Sequence, residues 1–143
     1  MSTTPKAQVR VARRFDAPAE RVFDAWLNPK TAVKWLFATP TGQMVRVEID
    51  PRVGGKFIFV DRRDGEDVEH VGEYLTLDRP RRLGFTFAVP KYSKESSRVS
   101  LDIVPQGTGC ELTLTQEDVL LDYAERSEAG WKGILEGLAA SLR

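Results

Sequence analysis

Residues 130–142 read GWKGILEGLAASL and place a tryptophan, an isoleucine and three leucines on one stripe of a predicted helix. Three glycines, Gly130, Gly133 and Gly137, lie beside this stripe. Each interior glycine costs a helix about 1 kcal/mol relative to alanine, whereas burial of the five apolar side chains returns about 8–15 kcal/mol at most. The helix therefore requires tertiary contacts. Its glycine side predicts either close packing against a neighbouring element or space for a bound molecule.

Alternation of apolar and polar side chains predicts seven strands in the rest of the chain. The first begins at Val9 and includes Phe15, and the other six are predicted within residues 44–50, 57–60, 68–77, 83–89, 99–103 and 111–116. Within the second strand, Val45, Val47 and Ile49 are predicted to share the face away from water. Because the connections among the last six strands are too short for parallel crossovers, these strands are predicted to form an antiparallel meander.

Helical spacing and capping residues predict two short helices between the first two strands and a long helix at the C-terminus. The first helix begins near Pro18, and Asn28 is predicted to cap the second. The long helix is predicted to begin with a capping box formed by Asp122 and Glu125, or with Ser127 as the cap of a shorter version. The fold class is therefore α+β, with a twisted antiparallel sheet whose apolar face is covered by the last helix.

One helix is too narrow to fill a deeply curved sheet, so an apolar pocket is predicted between the glycine side of the helix, the inward strand residues and the short helices. The chain has 143 residues, which suits one domain. We expect residues 1–6 to form a flexible tail and residues 7–143 to form this domain.

Composition excludes several classes of function. The chain has 21 Lys and Arg against 21 Asp and Glu, for a formal net charge of zero, and its arginine pairs are scattered, which argues against a nucleic-acid partner. Neither a secretory signal nor a membrane anchor is recognisable, so a cytoplasmic location is predicted. Cys110 is the single cysteine and His70 the single histidine. Neither an internal disulfide nor a metal site is expected, and no cofactor is predicted.

Three motifs in this order resemble a known family: FDAPAERVFDAW at residues 15–26, DPRVGGKF at residues 50–57, and GWK at residues 130–132 leading into Leu135 and Leu138. They are similar to stand-alone domains related to the C-terminal domain of the activator of the Hsp90 ATPase, within the START-like or Bet v 1-like superfamily. The resemblance implies the helix-grip architecture, in which a curved seven-stranded antiparallel sheet surrounds a long C-terminal helix, with two short helices after the first strand.

The leading hypothesis for function is a binding module whose internal apolar cavity takes a small hydrophobic or amphipathic ligand. The candidate ligand-binding residues share an aromatic or large apolar side chain. They are Trp35, Phe37 and Met44 at the entrance, Phe57, Phe59, Phe85 and Phe87 on strands, and Trp131 and Leu135 on the last helix.

Two alternatives stay open. The first is an interaction module that regulates an Hsp90-type chaperone. The second is an enzyme such as a polyketide cyclase or aromatase, which needs an acid or base inside an apolar pocket. His70, Glu73 and Tyr74 form the only local cluster of suitable groups, but strand parity places Glu73 on the opposite face from the other two. No catalytic residue is assigned, and the oligomeric state is left open.

Overall fold

The computed structural model describes residues 6–37, 42–91 and 96–142. Its elements, in chain order, are β1 (Lys6–Phe15), α1 (Ala19–Leu27), α2 (Pro29–Ala32), β2 (Gln43–Ile49), β3 (Lys56–Arg63), β4 (Glu66–Asp78), β5 (Arg82–Phe87), β6 (Ser97–Gln106), β7 (Gly109–Leu120) and α3 (Ala124–Ser141). A 3-10 turn at Leu121–Tyr123 precedes α3. Residues 1–5 of the predicted tail lie outside the described residues, and Lys6 begins β1.

The seven strands form one curved antiparallel sheet in the order β1-β7-β6-β5-β4-β3-β2. Each strand from β2 to β6 pairs with the next along the chain, which confirms the predicted meander. β1 pairs with β7. Because Trp131, Leu135 and Leu138 of α3 are buried against this assembly, the predicted helix-grip architecture is confirmed as well.

The glycines of α3 have different surroundings. A Cβ added at Gly137 would lie 3.3 Å from the Cβ of Trp35, whereas one added at Gly130 or Gly133 would meet nothing within 4 Å. Gly137 therefore allows the chain after α2 to approach the helix closely. Gly130 and Gly133 instead border open space.

A bulge in β2 changes which side chains face the core. The register with β3 shifts between Met44 and Arg46, so Val45 is the extra residue and is 39% exposed. Met44 and Val47 are partly buried against the core instead. The prediction that Val45 shares the buried face with Val47 is therefore wrong, because an inserted residue reverses the alternation on one side of the bulge.

The N-cap observed at α2 agrees with the sequence prediction, whereas the N-cap observed at α3 differs from it. Asn28 caps α2 as predicted, since its Oδ1 accepts a hydrogen bond from the backbone N–H of Lys30 at 3.0 Å. At α3 the N-cap position belongs to Tyr123, whose side chain makes no capping bond. The capping predictions at Asp122 and Ser127 are wrong because the 3-10 turn takes up Asp122, whereas Ser127 lies inside the helix.

Candidate functional site

A cleft lies between the N-terminal half of α3 and inward-facing residues of β3, β4, β5 and β7. Its inner lobe has a volume of about 240 Å³ and is lined by Phe37, Arg63, His70, Phe87, Val89, Gln116, Ser127, Gly130, Trp131 and Ile134. Its outer lobe, of about 590 Å³, shares Arg63, Phe87, Val89, Gln116 and Ser127 with the inner one and extends to Asp118, Tyr123 and Arg126. The shared walls make the two lobes one continuous cleft.

Aromatic rings form one wall of the inner lobe. The ring of Phe37 lies 4.8 Å from that of His70 and 5.0 Å from that of Phe87, with interplanar angles of 11° and 4°. Trp131 is steeply inclined to this set, at 64° to Phe87 with 5.6 Å between centroids. Phe37, His70 and Phe87 thus stack on one another with an indole set across them, which gives the lobe an apolar aromatic wall.

A chain of buried hydrogen bonds ties α3 to the sheet beside this wall. Trp131 Nε1 donates to Gln116 Oε1 at 2.7 Å, and Gln116 Nε2 donates to Ser97 Oγ at 2.8 Å. Ser97 Oγ in turn donates to the Phe87 carbonyl at 3.4 Å. An indole N–H can only donate, so it fixes which end of the Gln116 amide faces α3. The network therefore sets both the position of Trp131 and the polarity of the cleft floor.

His70 is buried at the aromatic wall, with 6% of its surface exposed. Its Nδ1 lies 3.3 Å from the Phe59 carbonyl oxygen, which can only accept, so Nδ1 carries the proton and donates. Burial lowers the pKa of His70 to about 4 and the positive charge of Arg63 contributes, whereas the Phe59 carbonyl, Asp61 and the Val68 carbonyl oppose the change. The imidazole is therefore neutral at pH 7.

A partly buried ion pair lies near His70. Asp61 and Arg63 share the inward face of β3 with Phe59, because alternate residues of a strand point the same way. Arg63 Nε donates to Asp61 Oδ2 at 2.6 Å, and the two side chains are 30% and 1% exposed. Asp61 therefore holds the guanidinium of Arg63 at the boundary that both lobes share.

Three of the nine predicted ligand-binding residues line the cleft, namely Phe37, Phe87 and Trp131. Three others, Phe57, Phe59 and Phe85, surround a void of only about 10 Å³ between the sheet and α1. This part of the core is filled by its own side chains. Contact of any of these residues with a ligand stays a prediction.

The remaining three lie elsewhere. Trp35 packs edge-on against Trp26, with ring centroids 4.8 Å apart, and Met44 is partly buried against the core. Leu135 is buried and lines a separate groove of about 300 Å³ between β1 and α3. The sequence pattern identified all three as apolar and inward, but it did not distinguish the cleft from the filled core.

The local cluster on β4 is divided by the fold. His70 lines the cleft, whereas Tyr74 lines the small void beside Trp26 and Phe85. Glu73 lies on the other face of the strand. Burial, followed by the negative charge of Asp50, raises the pKa of Tyr74 above its usual value, so its hydroxyl stays protonated at neutral pH. The three groups do not form one site.

Sequence reasoning missed Asp61, Arg63, Ser97 and Gln116 as polar components of the cleft. The predicted strand stopped at Val60, so the shared parity of Phe59, Asp61 and Arg63 went unused. Gln116 alternates in step with Leu112 and Leu114 along β7, and this pattern could have predicted that its side chain faces inward. Ser97 gave no such signal, because it was assigned to a loop.

Within residues 6–37, 42–91 and 96–142, no three His, Cys, Asp or Glu side chains are grouped closely enough to bind a metal ion. None of the helices in these segments is both long and apolar enough to cross a membrane. The cytoplasmic location stays a prediction.

Comparisons with known proteins agree on the fold. The model of the family described as activator of Hsp90 ATPase homolog 1-like protein matches residues 16–143. A crystal structure of a protein from Chromobacterium violaceum shares 28% identity over 93% of this chain and 94% of its own, with a TM-score of 0.85. No curated protein matches the chain in sequence.

Two more distant structures show the same fold. The solution structure of an AHSA1-like protein from Aeromonas hydrophila has a TM-score of 0.82 at 19% identity and covers 95% of this chain and 92% of its own. A protein of unknown function from Staphylococcus aureus has a TM-score of 0.85 at 16% identity, covering 96% of this chain and 93% of its own.

Proposed function

Because the chain belongs to the family of proteins similar to the activator of Hsp90 ATPase homolog 1, whose fold is compatible with ligand binding, we propose that it is a small-molecule binding domain. The proposed ligand is hydrophobic or amphipathic, and the proposed site is the cleft between α3 and the sheet. Aromatic side chains supply the contact area, and Gln116, His70 and Arg63 supply the polar groups that orient the ligand.

The observation that carries the proposal is a difference in cavity volume between two parts of the protein interior. Near α1 the core closes to about 10 Å³, whereas beside the N-terminal half of α3 a lobe of about 240 Å³ runs into one of about 590 Å³. Binding cavities for small molecules typically measure about 300–1,000 Å³ and combine apolar walls with a few polar groups. The cleft matches this description in size and composition.

Two glycines of α3 offer a matched test. Gly130 lines the inner lobe, Gly133 does not, and a Cβ added at either position meets nothing within 4 Å. We expect Gly130→Leu to reduce ligand binding by filling the lobe, and Gly133→Leu to leave binding unchanged. The measurement is thermal shift and native mass spectrometry against a panel of lipids and polyketide-like aromatics. Absence of stabilisation across the panel, or equal effects of the two variants, would contradict the proposal.

The chaperone alternative is supported by the description of the matched family. Its test is the ATPase rate of a bacterial Hsp90 with the purified domain added up to high micromolar concentration, and an unchanged rate would exclude it. The enzyme alternative has less support, because a histidine whose pKa is about 4 is a weak base at neutral pH.

A further inference from the structure

Arg63 is the one charged side chain among the described residues that line the inner lobe, since His70 is neutral at pH 7. It also lines the outer lobe. Its side chain is partly shielded, at 30% exposure, and lies at the boundary that the two lobes share. A polar group of a bound molecule that reaches this boundary therefore lies near a positive charge.

The ion pair with Asp61 leaves part of the guanidinium available. A guanidinium carries five N–H donors in one plane, and Arg63 directs the Nε donor to Asp61 Oδ2. Its Nη groups make no hydrogen bond to any other residue that the structure describes. They present two parallel donors, the geometry that matches the two oxygens of a carboxylate. Asp61 holds these donors in place because its own side chain is buried.

The charges around the cleft favour a singly charged group. Asp61 balances Arg63, and in the outer lobe Asp118 faces the same space as Arg126. Asp118 lies 4.0 Å from Arg98, which also pairs with Glu117 at 3.3 Å. Among the described residues that line the cleft, taken together with Asp61, positive charge is not in excess, so they do not favour a dianion such as a phosphate monoester. Selection of the ligand's charged group therefore depends on the hydrogen-bond donors of Arg63.

The aromatic wall specifies the rest of the ligand. The rings of Phe37, His70 and Phe87 lie within 15° of parallel, and Trp131 bounds the same lobe. These rings stack on one another, and a flat apolar ring that packs beside the stack loses little internal freedom. Building on the proposed function, we infer that the ligand is a planar apolar carboxylate whose ring lies in the inner lobe and whose carboxylate is bound by the Nη groups of Arg63.

The inference is tested with two probes of nearly equal shape, 1-naphthaleneacetate and 2-(1-naphthyl)ethanol, titrated into the intact chain at pH 7 by calorimetry. Replacing a neutral partner by a carboxylate on a guanidinium is expected to tighten binding by about tenfold to a hundredfold. We expect the acid to bind more tightly by that factor. Equal binding of acid and alcohol would overturn the inference and leave the proposed function standing. Failure of both to bind would also overturn the inference, while the lipid and aromatic panel decides the proposed function.

Substitutions test whether Arg63 is the residue that causes the preference for the acid over the alcohol. Arg63→Gln is expected to abolish the preference for the acid, whereas Arg62→Gln is expected to retain it, because Arg62 pairs with Asp67 on the other face of β3. Since Arg63→Gln removes the ion pair with Asp61, the double variant Asp61→Asn with Arg63→Gln provides a neutral pair in the same place. A preference that survives in both Arg63 variants, or that is lost in Arg126→Gln instead, would overturn the assignment to Arg63.

Discussion

Phe37 lies where the cleft meets the filled core, since it lines both the inner lobe and the small void beside Trp26. Its backbone has a φ of 59°, a conformation that residues other than glycine rarely adopt. We expect Phe37→Ala to lower the free energy of unfolding by about 3–5 kcal/mol through loss of the ring contacts.

A glycine at the same position separates packing from backbone strain. Elsewhere glycine is less stable than alanine by about 0.5–1 kcal/mol, but at φ of 59° it relieves strain of about 1–2 kcal/mol. Phe37→Gly should therefore be at least as stable as Phe37→Ala in urea titrations. A clearly less stable glycine variant would show that Phe37 does not hold this conformation in solution.

His70 makes stability depend on pH. In the unfolded chain its pKa is about 6.5, and in the fold it is about 4, so between these values the unfolded state binds more protons. Stability is therefore complete above pH 6.5 and is lost as the pH falls toward 4. From pH 7 to pH 5 the loss attributable to His70 is about 2 kcal/mol.

The variant His70→Asn keeps a donor for the Phe59 carbonyl but does not titrate in this range. Urea titrations at several pH values should show a flatter dependence for the variant than for the natural chain. Equal slopes would mean that His70 is more accessible to water than its burial here indicates.

At the scale of elements, α3 has the sequence least favourable to helix formation, because it contains three glycines. Gly133 lies on its open side, so Gly133→Ala should raise the free energy of unfolding by about 0.5–1 kcal/mol through helix propensity alone. Gly137→Ala places a methyl group 3.3 Å from Trp35 Cβ, and the required shift should cancel or reverse that gain. The check is the midpoint of denaturant unfolding for both variants. Equal stabilisation would show that Trp35 is not packed against the helix.

Strand periodicity predicted most of the sheet, because burial of one face imposes alternation on every strand. The strand predictions failed where a bulge interrupts the alternation and where a polar residue lies on the buried face of the sheet. The bulge at Val45 is invisible to alternation, and the strand predicted at residues 57–60 ends before Asp61. Three predicted aromatic residues, Phe37, Phe87 and Trp131, therefore line the cleft, whereas its polar residues other than His70 were not predicted. Gln116, for example, is held inside by Trp131, a partner distant in sequence.

For the whole molecule, the interior has two adjoining parts that meet at Phe37. Aromatic residues of β3 and β5, with Trp26 of α1, fill one part, while the other lies beside the N-terminal half of α3 and contains the cleft. Family membership accounts for the architecture. The separation implies that a ligand can bind without displacing the core beside α1.

The central claim is that the cleft binds a ligand, and the three tryptophans of the chain can test it in one experiment. Trp131 lines the cleft and donates its indole N–H to Gln116, whereas Trp26 and Trp35 pack against each other beyond Phe37. The measurement is the set of three indole N–H resonances in a ¹H–¹⁵N correlation spectrum, recorded during titration with the panel compound that stabilises the protein most. A shift confined to Trp131 is predicted. Shifts at Trp26 and Trp35 without one at Trp131 would contradict the claim.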